Sequence, residues 1–104
     1  MELNDYQKGC LTTWTGENRV ERAFLGLAGE VGEVMEARKK YLRGDYERSE
    51  YIAILTKELG DALFYASVTA HEEGIEMDVV AKKNQDKLQC RKSRGKIQGS
   101  GNDR

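Results

Sequence analysis

From Asn18 to Gly74 the apolar residues recur at helical spacing in two long runs, and no proline interrupts either. The first run carries Val20, Phe24, Leu27, Val31, Val34 and Leu42. The second carries Ile52, Leu55, Leu59, Leu63, Ala66 and Ala70. Between them Gly44-Asp45-Tyr46 is a turn signal. Nothing in the chain alternates with the period of a strand, so the fold class is all-α, built on an antiparallel helical hairpin.

Helix ends can be read from capping chemistry. Asn18 is a cap candidate with Glu21 as its reciprocal partner, and Gly44 ends that helix. The next helix starts around Tyr46–Ser49 and runs to the Glu72-Glu73-Gly74 stop. Ahead of the hairpin, Asn4 caps a short helix with Gln7 in return; it carries Tyr6, Cys10, Leu11 and Trp14 and stops near Gly16. A fourth helix is expected from Asp78 to about Arg91. Residues 1–94 therefore read as one helical domain. Residues 95–104, with three glycines, read as a flexible tail, which could also fold over a bound phosphate.

Taken in steps of about 100°, the 46–72 helix is apolar on two sides. Ile52, Leu55, Leu59, Leu63, Ala66 and Ala70 form one stripe, and Ile54, Phe64, Tyr65 and Val68 form a second on roughly the opposite side. Such a helix is sandwiched. With 104 residues, 38% of them hydrophobic, the chain is too small to cover both sides. The expectation is a homodimer or homotetramer that shares a helical bundle.

Two acidic pairs lie in the hairpin, Glu30…Glu33 and Glu58…Asp61. Each is spaced i, i+3, which puts both carboxylates on one helix face about 4.5 Å apart along the axis. Folding the chain between Asp45 and Tyr46 makes Glu33 and Glu58 equidistant from the turn, and likewise Glu30 and Asp61. All four then share a layer. Solvated surface acids are the ordinary reading of such pairs. Against it, Asp61 shares its face with Ile54, Phe64 and Val68, and Glu30 borders Leu27, Val31 and Val34. Gly26, Gly29, Gly32 and Gly60 crowd the same region, at roughly 1 kcal/mol each relative to Ala in a helix. Their return is close helix approach or room for a ligand. Carboxylates gathered this way repel unless a cation sits among them, and hard oxygen donors suit Mg²⁺, with Mn²⁺ as a substitute.

Formal charge is −1, which gives no general attraction for a nucleic-acid polymer or an acidic membrane. Lys82, Lys83, Lys87, Arg91, Lys92, Arg94 and Lys96 nevertheless face only Asp86 within one segment, which points to a small anionic ligand. Cys10 and Cys90 have no metal or redox spacing and read as reduced thiols. No membrane span or signal-peptide profile is present, so a cytoplasmic protein is expected.

At these residues the sequence resembles the MazG-like family of all-α nucleoside triphosphate pyrophosphohydrolases. The likeness lies in ExxE followed by ExxD, here with 24 residues between Glu33 and Glu58. The surrounding segments 26–33 and 58–65, Asn4-Asp5-Tyr6-Gln7, and Asn84, Lys87, Leu88 and Arg91 add to it. It spans roughly residues 3–94. The resemblance implies that Glu30, Glu33, Glu58 and Asp61 bind Mg²⁺. It also implies that Lys87 and Arg91 contact substrate phosphates, and that Tyr65 and Asn84 line the substrate pocket. The implied reaction is attack of water on the α-phosphorus of a nucleoside triphosphate, releasing pyrophosphate. Glu33 or Glu58 would serve the water.

The remaining candidates have two readings each. Trp14, the single tryptophan, is a stacking surface for a base or a core residue. His71 complements a helix C-terminus rather than catalysing, and Lys39 and Lys40 are solvated cations. Tyr41, Tyr46 and Tyr51 pack around the turn. Two alternative functions share the acidic layer: a pyrophosphohydrolase of a phosphoribosyl-nucleotide, and a non-catalytic helical oligomer that binds a metal or partner.

Overall fold

The computed structural model describes residues 1–95, which are all-helical: α1 (Leu3–Leu11), α2 (Arg19–Leu42), α3 (Arg48–Glu72) and α4 (Met77–Ser93). The expected tail lies outside the described residues except for Gly95. Gly44 and Gly74 end α2 and α3 as expected, with φ of +89° and +74° that only glycine adopts without strain. α1 stops a turn early, at Leu11, where Thr12 and Thr13 hydroxyls donate to the carbonyls of Gly9 and Cys10.

α2 and α3 form the hairpin, in the register expected from the sequence. From Arg19 to Glu30 the facing pairs are equidistant from the point between Asp45 and Tyr46. Glu30 meets Asp61, Gly26 meets Tyr65, and Arg19 bridges Glu72 at 3.4 Å. Ala23 and Val68 share that spacing and are both 0% exposed. Next to the turn, Tyr41 and Tyr51 stack with ring centroids 4.1 Å apart, and Arg38 and Arg48 lie against the pair.

α1 and α4 pack on α3 and on each other, while α2 packs on α3 alone among the described residues. What fixes α1 is not the local cap expected of Asn4 and Gln7. Glu2 occupies that cap position, and both side chains reach across the fold instead. Asn4 Oδ1 accepts the Asp78 N–H at 2.9 Å, and the Asp78 carboxylate accepts the Asn4 N–H at 3.2 Å. Each residue thus satisfies an orphan N–H in the first turn of the other's helix. Gln7, buried, donates to the carbonyls of Ser67 and Ile75 and accepts the Met77 N–H. Asn18 is at the α2 cap position, but in a left-handed conformation with φ of +55° and no side-chain cap bond.

The core is small. Cys10, Trp14, Ala23 and Val68 form its centre, with Tyr6, Leu11, Phe64 and Tyr65 around them. Much apolar surface stays outside it. On α2 Phe24, Val31, Met35 and Leu42 are exposed, and in 100° steps they fall within about 40° of one another. On α3 Ile52, Leu59 and Leu63 do the same, with Leu59 51% exposed. The radius of gyration is 16.4 Å, where a compact domain of about 100 residues measures about 13 Å.

Candidate active site

The hairpin register carries Glu30 on α2 onto the Glu58–Asp61 turn of α3. One carboxylate oxygen from each lies within 4.8 Å of the others. Glu30 Oε2 is inaccessible to solvent and accepts no hydrogen bond. An orphan buried carboxylate oxygen is costly unless a cation or proton joins it. Burial first, then the charges of Asp61 and Glu58, a hydrogen bond that the protonated carboxyl shares with Glu58, and the Glu33 charge push the Glu30 carboxyl above its ordinary value. Asp45, beside Arg43 at the turn, is held low instead. Crowded hard oxygen donors with one unpaired are the donor set of a divalent metal. Glu30, Glu58 and Asp61 fit that role.

Glu33 is not in this group of three. It is exposed, and helical geometry gives the reason. The α2 seam runs through Ala23, Gly26, Glu30 and Ala37, and in 100° steps Glu33 points about 50° from the seam's centre. Its charge still reaches Glu30. It stands at the edge of the site.

Two neighbours were missed in the sequence. Lys57 lies 3.6 Å from both Glu58 and Asp61, with its side chain in solvent, and the two acids raise its affinity for a proton. Its i, i+4 spacing to Asp61 was the available signal. Tyr6, on α1, is within reach of the Asp61 charge; burial, Cys10 and Asp61 together push its hydroxyl up to about 12. Nothing local in the sequence links residue 6 to residue 61.

The other candidates are dispersed. Trp14 is 8% exposed, its indole N–H donates to Glu72 at 3.0 Å, and Arg22 covers a face at 4.7 Å. It belongs to the core cluster with Cys10, Ala23 and Val68. Tyr65 stands edge-on to Trp14 and Phe64 and presses against Gly26, where a Cβ would be 2.1 Å from its Cε1. Close helix approach therefore explains Gly26. It does not explain Gly29, Gly32 or Gly60, where a Cβ would meet nothing within 4 Å. On α4, Asn84 is exposed, Lys87 half-buried and Arg91 buried. That helix packs on α1 and α3. Lys39 and Lys40 pair with Glu36, and His71 is exposed at the end of α3.

A helical hairpin with three acids converging from both arms defines an all-helical protein with a candidate divalent-metal site. The family is shown by comparison: the family model for the MazG nucleotide pyrophosphohydrolase domain matches residues 19–95, and the chain belongs to that family. Its members are usually metal-dependent and act on nucleotides. The chain is also similar to the Gene 37 protein of Mycobacterium phage L5, 40% identical over 82 residues that cover 77% of this chain and 72% of that protein. No solved structure gives a significant match. No helix among the described residues is long and apolar enough to cross a membrane.

Proposed function

We propose that this chain hydrolyses nucleoside triphosphates, ribo or deoxy, to the monophosphate and pyrophosphate in the cytoplasm, clearing or adjusting the nucleotide pool. The observation that carries the reading is the orphan Glu30 oxygen amid the Glu58 and Asp61 carboxylates, in a chain of a nucleotide pyrophosphohydrolase family. Glu30, Glu58 and Asp61 hold Mg²⁺, or Mn²⁺ in its place, with Glu33 joining from the edge. The bound cation supplies the positive charge that a triphosphate and its displacement require.

The chain's own groups do the rest. Lys57 offsets part of the mutual repulsion of Glu58 and Asp61 at the rim. Glu33 or Glu58 orients the attacking water and takes its proton. The water oxygen bonds to the α-phosphorus as the bond from that phosphorus to the bridging oxygen breaks, and pyrophosphate leaves with the electron pair. Lys87 and Arg91 receive the leaving charge, and Tyr65 and Asn84 shape the pocket.

The same reading includes self-association as a dimer or tetramer. The exposed stripes on α2 and α3 and the expanded radius of gyration support it. A panel of ribo- and deoxynucleoside triphosphates with Mg²⁺ tests the activity. Monophosphate and pyrophosphate are expected; orthophosphate alone, or no metal-dependent turnover, would refute it.

A further inference from the structure

Between α1 and α3 lies a cavity of about 350 Å³, lined mostly by apolar atoms. That is within the range of small-molecule pockets, about 300–1,000 Å³. Tyr6 and Cys10 wall it on α1 and Phe64 on α3, with Asp5 and Thr13 at its polar edge and Gly9 between them. It adjoins the acids. Phe64 follows Asp61 by one helical turn, about 4.5 Å along the axis, and Tyr6 feels the Asp61 charge.

Gly9 is the telling residue. It lies within α1, its φ is not positive, and a Cβ there would meet nothing within 4 Å. Neither backbone conformation nor close packing asks for glycine, which weakens a helix. What glycine does here is leave one wall of the cavity bare. Gly9 lines this open pocket beside Tyr6, Thr13 and Phe64, and a side chain added there has free space on that wall.

We propose that this open pocket seats the base of the nucleotide whose phosphates lie at the acids, and that Asp5 favours cytosine and adenine over uracil and thymine. The proposal rests on the hydrolase reading above. Tyr6 and Phe64 offer aromatic surface, which accepts any base face. Discrimination falls to the edge. An ionised carboxylate only accepts hydrogen bonds. The amino groups of cytosine and adenine donate, whereas thymine and uracil present a carbonyl oxygen at the equivalent position. Thr13, exposed and with its hydroxyl proton given to the Cys10 carbonyl, offers a second acceptor.

The test uses the full chain, Gly9→Leu and Asp5→Asn. Melting temperature, Mg²⁺-dependent turnover of CTP, ATP and UTP, and calorimetric binding of their α,β-methylene analogues are measured. Gly9→Leu is expected to melt at or above the parent and to lose roughly tenfold or more in analogue affinity for every base. Should leucine disturb the fold, Gly9→Ala carries the same test with a smaller loss. Asp5→Asn is expected to narrow the preference for CTP and ATP over UTP by roughly tenfold. A folded Gly9 variant that binds and turns over as the parent does overturns the base subsite and leaves the hydrolase reading standing. An unchanged base ratio in Asp5→Asn overturns the selection. Absence of turnover of any triphosphate by the parent overturns the hydrolase and the subsite together.

Discussion

Gly26→Ala should destabilise the chain although alanine is the better helix former. The added Cβ would lie 2.1, 2.4 and 2.6 Å from Cε1, Cδ1 and Cζ of Tyr65. Carbon pairs rest at about 3.5–4.0 Å, so the ring must retreat by more than about 1 Å. It cannot swing freely, because Trp14 and Phe64 stand edge-on to it at 6.2 and 5.2 Å between centroids. Overpacking of this kind costs about 1–3 kcal/mol, and the helix gains about 0.8–1.0 kcal/mol from losing glycine. The net is a loss of about 1 kcal/mol, or a fall of about 4–8 °C in melting temperature. Gly29→Ala and Gly32→Ala on the same helix have open space and should keep the propensity gain, rising by a similar amount. Thermal melts of the three variants, followed by circular dichroism, read the difference. A Gly26→Ala protein that melts with its two companions would refute the packing of Tyr65 on α2.

Other perturbations separate the site from the scaffold. Glu30→Gln should raise the melting temperature at pH 7 without divalent metal. The parent's Glu30 carboxyl is held above its ordinary 4.5 by burial and like charges, so ionising it weakens the fold. The penalty grows as pH rises through the raised value and vanishes below about 4.5, where folded and unfolded chains are both protonated. A melt series from pH 4 to 8 with EDTA should show the two proteins converging at the acid end; a constant gap would refute it. Adding Mg²⁺ should stabilise the parent and do little for Glu30→Gln. Gln7→Ala removes both donors to Ser67 and Ile75 and the acceptor for Met77. Its loss should be about 3 kcal/mol or more in urea unfolding, since three groups lose a partner and each buried orphan costs about 1–3 kcal/mol. Leu59→Asp places a charge on the exposed α3 stripe, so light scattering after gel filtration should show a smaller assembly than the parent; equal masses would count against self-association.

Why some of this could be read from residues alone is a matter of range. The hairpin register was legible because one turn and two acidic pairs determine it, and the same register then places Ala23 on Val68 and Gly26 against Tyr65. Gly44 and Gly74 were legible because a positive φ leaves few alternatives to glycine. Asn4 and Gln7 were misread because a capping box and a long-range clasp present the same residues at the same spacing. The signal against the box was Gln7 itself. It shares a face with Cys10 and Leu11, and a polar residue on an apolar face has partners across the core. Glu33 fell outside the group because equidistance from a turn fixes height along the helix, not the angle around it.

The distribution of stability follows from the same geometry. The end of the hairpin next to α1 is well tied, by Val68 and Ala23 in the core and by Gln7 and Asn4 across the helices. α2, by contrast, packs on α3 alone among the helices of the described residues, and next to the turn the two are joined by the Tyr41–Tyr51 stack. The three acids lie between these regions and weaken the pairing by mutual repulsion. A bound divalent cation would reverse the sign of that interaction, joining α2 to α3 where they otherwise repel. Occupancy of the site and stiffness of the hairpin are then one equilibrium. Hydrogen exchange at residues 27–34 and 55–63 should slow on adding Mg²⁺, while the α1–α3 core around Val68 should change little. Uniform protection, or none, would break that link.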